Sequence, residues 1–465
     1  MTQSGISSKY SYYLHIIKQA LRGDEQDYTS LSMKKAIFLL AIPMILEMMM
    51  ESVFAVVDIF FVGRLGKEAV ATVVLTESVI TLLYSAAIAF SIGATAMVAR
   101  RIGEKNYEEA AKTGAQAVNL GIMVAALVTL AGVFFADDIL RAMDASEAVL
   151  AIGVPYTRIL FGSSVVILLL FLINGVFRGA GNAAIAMKSL WIANGCNIIL
   201  CPILIHFHGL AGAAMATATG RGIGVLYQMY HLFNGKKLFR LGAHHFRLHW
   251  DIIKGLFSIS WVGFLQFAIA SSSWIFLTRI MAGFNNDAAI AGYGVALRIV
   301  MFFLLPAWGM SNAAATLVGQ NLGAGQPDRA EESVKKTAYY NAIFMGVVTI
   351  IFLVFARLIV RFMNKDAAVE DYAVQCLRIV SLGYIFYGIG MVMINAFNGA
   401  GDTRTPTIIN IFGFWLFQIP LAYLLAIVLD MGPTGVFVAI PVAETSITIA
   451  AYLLFKKGKW KAKKV

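Results

Sequence analysis

The stretch from Ala36 to Gly66, AIFLLAIPMILEMMMESVFAVVDIFFVGRLG, is long enough to cross a bilayer yet carries three acids, Glu47, Glu51 and Asp58. A hydrocarbon core is spanned by about 20 mainly apolar helical residues. Steps of four and seven residues along a helix of about 3.6 residues per turn bring the acids to nearly one azimuth, a single acidic stripe on an oily helix. A mid-membrane acid costs roughly 2.5 to 3.5 kcal/mol on insertion scales, so the stripe must face protein or a water-filled cavity, not lipid. The rest of the chain is expected to wall that cavity.

Hydrophobic residues make up 59% of the 465 and charged residues 14%, which excludes a soluble enzyme and implies a polytopic membrane protein. Further apolar runs follow the first at 36 to 62: 69 to 98, 113 to 135, 149 to 176, 187 to 206 and 209 to 233. After a basic stretch come 252 to 280, 288 to 318, 337 to 358, 373 to 396, 407 to 429 and 433 to 455. The expectation is an all-α protein of twelve transmembrane helices. Its parts are an N-terminal segment (1–35), a first lobe of six helices (36–233), a connector (234–251), a second lobe (252–455) and a basic tail (456–465).

The net charge of +11 would suit nucleic acid if it were patchless, but about 26 of the 37 Lys and Arg residues fall in the termini and alternate loops. That asymmetry is the positive-inside pattern. It predicts a multi-pass protein of the cell membrane with both termini cytoplasmic and no nucleic-acid partner. The segment before residue 30 lacks a cleavable signal, and Tyr13, Ile16, Ile17, Ala20 and Leu21 predict an amphipathic helix lying at the membrane surface. The KKGKWKAKK tail is expected to sit near anionic lipid. Cys196, Cys201 and Cys376 have neither zinc-type nor disulfide-framework spacing.

The two sets of helices repeat one another. IGEKNYEEA from Ile102 aligns with LGAGQPDRA from Leu322, and FRGAGN from Phe177 with FNGAGD from Phe397, both at an offset of 220 residues. Six helices separate equivalent positions, so the halves share one orientation: a parallel repeat about an axis along the membrane normal, with a central cavity between lobes. Dense Gly and Ala, as in GLAGAAMATATGRGIG at 209 to 224, favour close helix packing. Pro43, Pro306, Pro420 and Pro441 are expected to permit bends.

Among residues able to bind a cation or substrate, the stripe of Glu47, Glu51 and Asp58 ranks first, with Asp58 foremost. A buried carboxylate can exchange a proton or hold a cation. The competing role is neutralisation by a buried arginine, for which Arg158, Arg221, Arg279, Arg298 and Arg378 are available, and ion pairing is the expected role of Glu77 and Glu444. Asn194, Asn197 and Cys201 share a face of the fifth span, either bonding to other helices or lining the cavity, and Thr217 of the sixth can add a hydroxyl. His206, His208, His244 and His245 are expected to be solvated, not metal ligands. No phosphate-binding Gly-rich loop precedes Lys and Ser or Thr, so an ion gradient, not ATP, is the expected energy source.

These residues resemble the multidrug and toxic compound extrusion family. The first span with its early Pro and its Asp before Gly-x-Leu-Gly, ATLVGQNLGAGQPDRAEE at 315 to 332, its counterpart ARRIGEKNYEEA at 99 to 110, FRGAGN and FNGAGDTRTP carry the likeness. The resemblance implies export of small organic, often cationic compounds in exchange for protons or sodium. It maps the family's N-terminal site onto Asp58, Asn197, Cys201 and Thr217, with Cys201 standing where an Asp is usual and Glu47 and Glu51 able to replace its charge. Another branch places acids in the seventh and tenth helices, where this chain has Gln266, Tyr384 and Tyr387, so the coupling site is expected in the first half. The expected protein is thus an alternating-access antiporter, not an enzyme. It needs no cofactor, metal or obligate protein partner beyond its substrates, coupling ion and membrane lipids. A lipid-linked saccharide flippase is the alternative, and a passive channel the less favoured one.

Overall fold

Each apolar run folds as helix, since a backbone in hydrocarbon must satisfy its own polar groups. The computed structural model describes residues 14–24, 26–235 and 240–465, and no strand occurs among them. A short helix over 14–22, α1, leads into the first half: α2 (Met33–Gly63), α3 (Lys67–Gly103), α4 (Tyr107–Phe134), α5 (Ala136–Ala142), α6 (Glu147–Gly162), α7 (Ser164–Gly179), α8 (Ala183–His208) and α9 (Leu210–Phe233). The second half comprises α10 (Trp250–Ala282), α11 (Asp287–Gly323), α12 (Pro327–Met363), α13 (Ala367–Ser381), α14 (Tyr384–Gly399), α15 (Arg404–Val428) and α16 (Pro433–Lys456). Nine of the described helices are singly long and apolar enough to cross a membrane, and the bent pairs α6/α7 and α13/α14 each make one more span. The small-residue helix α9, 24 residues long, completes the twelve.

The bends repeat as the motifs do. α6 and α7 meet at 41° across Ser163, and α13 and α14 at 57° across Leu382 and Gly383, positions equivalent under the 220-residue offset. Both breaks fall in Gly/Ser sequence, a regular cause of kinks. Serine hydroxyls there turn back on the helix, Ser163 Oγ donating to Leu160 O at 2.8 Å and Ser381 Oγ to Arg378 O at 2.9 Å. The prolines do less than expected: α2, α11 and α16 run unbroken through Pro43, Pro306 and Pro441. Only around Pro420 does the helix respond, widening into π-type turns at Ile411–Gln418 and Leu424–Val428.

The repeated motifs weld the halves together at the end that carries the termini. A Cβ on Gly103 of α3 would lie 2.0 Å from Gln320 O of α11, and one on Gly323 would lie 2.1 Å from Arg100 O, a reciprocal contact across the pseudo-twofold axis. Gly179 against Thr95 O and Gly399 against Ala315 O repeat the device within each half. Thr316 Oγ1 donates to Arg178 O at 3.2 Å and Gln320 Nε2 to Gly179 O at 2.9 Å, joining α11 to the FRGAGN loop.

The termini strap this same end. α1 buries Ile16 and Ala20 with Tyr28, α2 and the α11 residues Ala313 and Leu317, while Ile17 is 40% exposed. It is thus docked on protein, and its buried face is narrower than the periodicity suggested; Tyr13 lies outside the described residues. Tyr28 Oη donates to Gly181 O of the first half, and Arg329 of the second donates to Tyr28 O and Leu31 O. The basic tail also docks: Trp460 stacks on Phe455 with centroids 4.9 Å apart, and Arg100 Nη2 donates to Lys463 O at 2.7 Å. Its Lys461 pairs with Glu331 and Asp328, and hydrogen bonding to Glu331 holds that ammonium above the usual lysine range. The tail's charges therefore meet protein acids as well as any lipid headgroup. In the connector His245 is buried, not solvated, accepting from Gly242 N–H and bonding Glu108 at 3.0 Å, while Gln116 of α4 donates to His245 O and Arg247 O.

Gly103→Ala combined with Gly323→Ala is expected to wedge the closed end apart, at an overpacking cost of about 1–3 kcal/mol. Spin labels replacing Glu104 and Ala324 should then report a longer separation than in the native background. An unchanged separation with native melting would show that the glycine contact does not limit the approach of α3 and α11.

Candidate functional site

Between the halves lies a cavity of about 930 Å³, its open mouth included, that takes side chains from both. The first half contributes Glu51, Tyr84, Ser91, Phe171 and Arg178, and the second Trp308, Asn312, Asn395 and Asn398. Arg178 and Asn398 are the second residues of FRGAGN and FNGAGD, so the repeated motif places equivalent side chains on the cavity floor.

Glu51 is the stripe residue that lines this cavity; Glu47 and Asp58 turn into the first half. Glu47 is fully buried, accepting from Asn174 Nδ2 at 3.0 Å, with Arg178 Nη1 at 3.6 Å. Asn174 in turn accepts from Ser189 Oγ at 2.9 Å and Gln228 Nε2 at 2.6 Å, and Arg178 Nη2 donates to Ser91 Oγ at 2.7 Å. This network ties α2, α3, α7, α8 and α9 into one unit and neutralises Glu47. Sequence reading missed Arg178, Asn174 and Gln228. The Arg within FRGAGN, where the second repeat has Asn, was the available signal.

Glu51 forms the second buried centre. Arg221 Nη2 of α9 donates to Oε1 at 3.0 Å, and Asn194 Nδ2 of α8 donates to Oε2 at 3.0 Å. The guanidinium is itself almost fully buried, its carbon 5.3 to 5.6 Å from the ring centres of Phe54, Phe171 and Tyr84. Arg221 therefore holds both an ion pair and a cage of aromatic faces. Of the arginines considered from sequence, it is the one paired with a stripe acid.

The third acid is different. No ion pair among the described residues reaches Asp58 within 4.0 Å; its polar contact is the Cys201 thiol, Sγ to Oδ1 at 4.0 Å. Alongside, Asn197 Nδ2 donates to Thr217 Oγ1 at 2.9 Å, leaving the buried Asn197 Oδ1 without a partner. The structure thus divides the sequence candidates in two. Glu47, Glu51 and Asn194 enter salt-bridged networks, while Asp58 touches Cys201 and Asn197 bonds Thr217, both outside any ion pair within 4.0 Å among the described residues. Glu77 and Glu444, both expected in ion pairs, have none within 4.0 Å among the described residues.

The two-lobed helical architecture and interlobe cavity define a polytopic membrane transporter. The MatE family model matches residues 43–203 and again 264–424, once for each repeat. The chain is 24% identical to the probable multidrug resistance protein YoeA of Bacillus subtilis, over 93% of this chain and 96% of that protein. It is likewise 24% identical to the multidrug export protein MepA of Staphylococcus aureus, over 90% and 93%. Among solved structures, MATE in complex with MaL6 superposes with a TM-score of 0.89, at 24% identity, over 92% of this chain and 97% of that one. A MOP superfamily transporter from Pyrococcus furiosus gives 0.88, at 24% identity, over 92% and 96%. The chain belongs to the MatE family, the multidrug and toxic compound extrusion transporters, and is not an enzyme.

Arg221→Met is expected to destabilise the protein by about 3 kcal/mol, the lower end for a severed buried pair, because Glu51 keeps 21% of its side chain exposed. Adding Glu51→Gln should recover most of that loss, measured by denaturant unfolding in detergent micelles. Equal stability of the single variant and the native protein would remove the ion pair from the account.

Proposed function

We propose that this protein exports organic, predominantly cationic compounds in exchange for protons, with Asp58 carrying the exchanged proton. The single observation behind this reading is that Asp58 is the stripe acid left without an arginine. An acid already locked in an ion pair resists protonation, whereas an uncompensated one in low dielectric readily takes up a proton. The Cys201 thiol is its polar contact, with the Asn197–Thr217 pair one turn away along α8, and Cys201 leaves this region one carboxylate short of the family pattern.

Substrate class follows from the cavity wall. Glu51 and Arg178 are each paired, so the wall is close to neutral overall and offers aromatic faces (Tyr84, Phe171, Trp308) and amides (Asn312, Asn395, Asn398). Aromatic faces attract organic cations and amides bond varied polar groups, which suits amphipathic drugs better than a multiply phosphorylated lipid. The names of YoeA and MepA are in keeping with this choice. The basic residues at the termini and alternate loops support a cytoplasmic position for the welded end. With that orientation the joined end faces the cytoplasm, and protonation of Asp58 removes a negative charge from the first half, lowering its attraction for a cation in the cavity and favouring release outside.

The test is efflux of a fluorescent organic cation from proteoliposomes under an imposed proton gradient, then a sodium gradient, comparing native protein with Asp58→Asn. The native protein should move dye under the proton gradient and the variant should not. Transport driven only by sodium would overturn the proton assignment, and full activity of Asp58→Asn would remove Asp58 from coupling.

A further inference from the structure

A buried carboxylate without an ion pair also lies inside the second half. Glu444 of α16 is 4% exposed, and its Oε1 has no hydrogen-bond partner. It faces a pocket of about 270 Å³ walled by Trp274 of α10, Val300 of α11, Tyr384 and Tyr387 of α14, and Pro441. The Tyr384 hydroxyl is buried in the same pocket and is also unpartnered. Free space there accommodates about one water molecule, far too little for an organic substrate.

Position within the repeat adds an independent argument. At the offset of 220 residues Trp274 corresponds to Phe54 and Pro441 to Arg221, so two walls of the pocket match side chains of the Glu51–Arg221 centre, while Glu51 itself corresponds to Ser271. The first half sets a carboxylate beside its arginine there. The second places a carboxylate alone, Glu444, one turn beyond the position equivalent to Arg221.

The groups facing Glu444 decide what it can bind. From α14 they are the Tyr384 and Tyr387 phenols, with the buried Cys376 thiol of α13 beyond Tyr384. α10 and α11 present Trp274 and Val300, and the residues that α15 buries over 411–428, Phe414, Gln418, Ala422 and Ala426, include no titratable group. A hard metal cation stripped of water takes about six oxygen ligands. One carboxylate and two phenols fall short of that number, whereas a proton needs only the carboxylate and a neighbouring hydroxyl.

We propose that Glu444 is a proton-binding site internal to the second half, neutral when loaded and hydrogen-bonded to Tyr384 when emptied. Gly383, at the break between α13 and α14, packs directly on Pro441, where an added Cβ would come within 2.6 Å of the proline ring. A change of charge at Glu444 is thereby placed one turn from the bend of the tenth span. A role in transport rests on the proton-coupled reading above, but titration of the site does not.

The test is infrared difference spectroscopy of the full chain in lipid bilayers, recorded on stepping the pH from acid to alkaline. Native protein should lose a carboxylic acid C=O band, part of which is absent in Glu444→Gln and retained in Asp58→Asn. Tyr384→Phe, which keeps the carboxyl, should shift the frequency of the Glu444 component by removing its hydroxyl neighbour. A difference band unaltered by Glu444→Gln, a Glu444 band that persists at every pH, or one indifferent to Tyr384→Phe would each overturn the assignment. Loss of the Glu444 component with proton-driven efflux intact in Asp58→Asn would uphold this site while refuting the role given to Asp58.

Discussion

Everything in the first half is arranged around the cost of placing a charge where water cannot reach it. α2 carries three acids through the bilayer, and the surrounding helices answer two of them with guanidinium groups, Arg178 at Glu47 and Arg221 at Glu51. Each arginine must itself be satisfied, which recruits Ser91 in one case and three aromatic rings in the other. Removing either partner would strand a charge, so α2, α7, α8 and α9 are held as a rigid set. Such rigidity is what an alternating-access lobe requires, since it must move as one body.

Symmetry supplies the second constraint. The motifs repeated at 220 residues are one place where the two halves touch, through glycines whose missing side chains let one helix reach the other's backbone. In a bilayer, where water does not drive helices together, such close approach is the main source of attraction between them. The contact is self-complementary about the pseudo-twofold axis, and the N- and C-terminal segments lie over the same end. A joint of this kind leaves the opposite ends of the lobes free to part.

The halves diverge in chemistry where they agree in shape. Arg178 and Asn398 occupy equivalent positions on the cavity floor, one charged and paired, the other neutral. Inside the bundles the first half pairs Glu51 with Arg221, whereas the second has Pro441 at the position equivalent to that arginine and leaves Glu444 without an ion pair. A duplicated scaffold thus carries two dissimilar polar interiors, and the cavity between them combines donors and acceptors that neither half provides alone.

The sequence by itself determined the twelve spans, the parallel repeat and the family, because hydrocarbon allows a backbone few choices and a long apolar run becomes a helix whatever its neighbours. It also marked the three acids of α2 as residues that could not face lipid. Only the tertiary structure decided their fates, since which acid meets an arginine depends on helix rotation and packing, not on spacing within one helix. Arg178 was hidden in an apparent loop motif, the bends fell at Ser163 and Gly383 instead of at prolines, and α1, His245 and the tail proved docked. Each of these outcomes rests on contacts between segments far apart in the chain, which no local periodicity encodes.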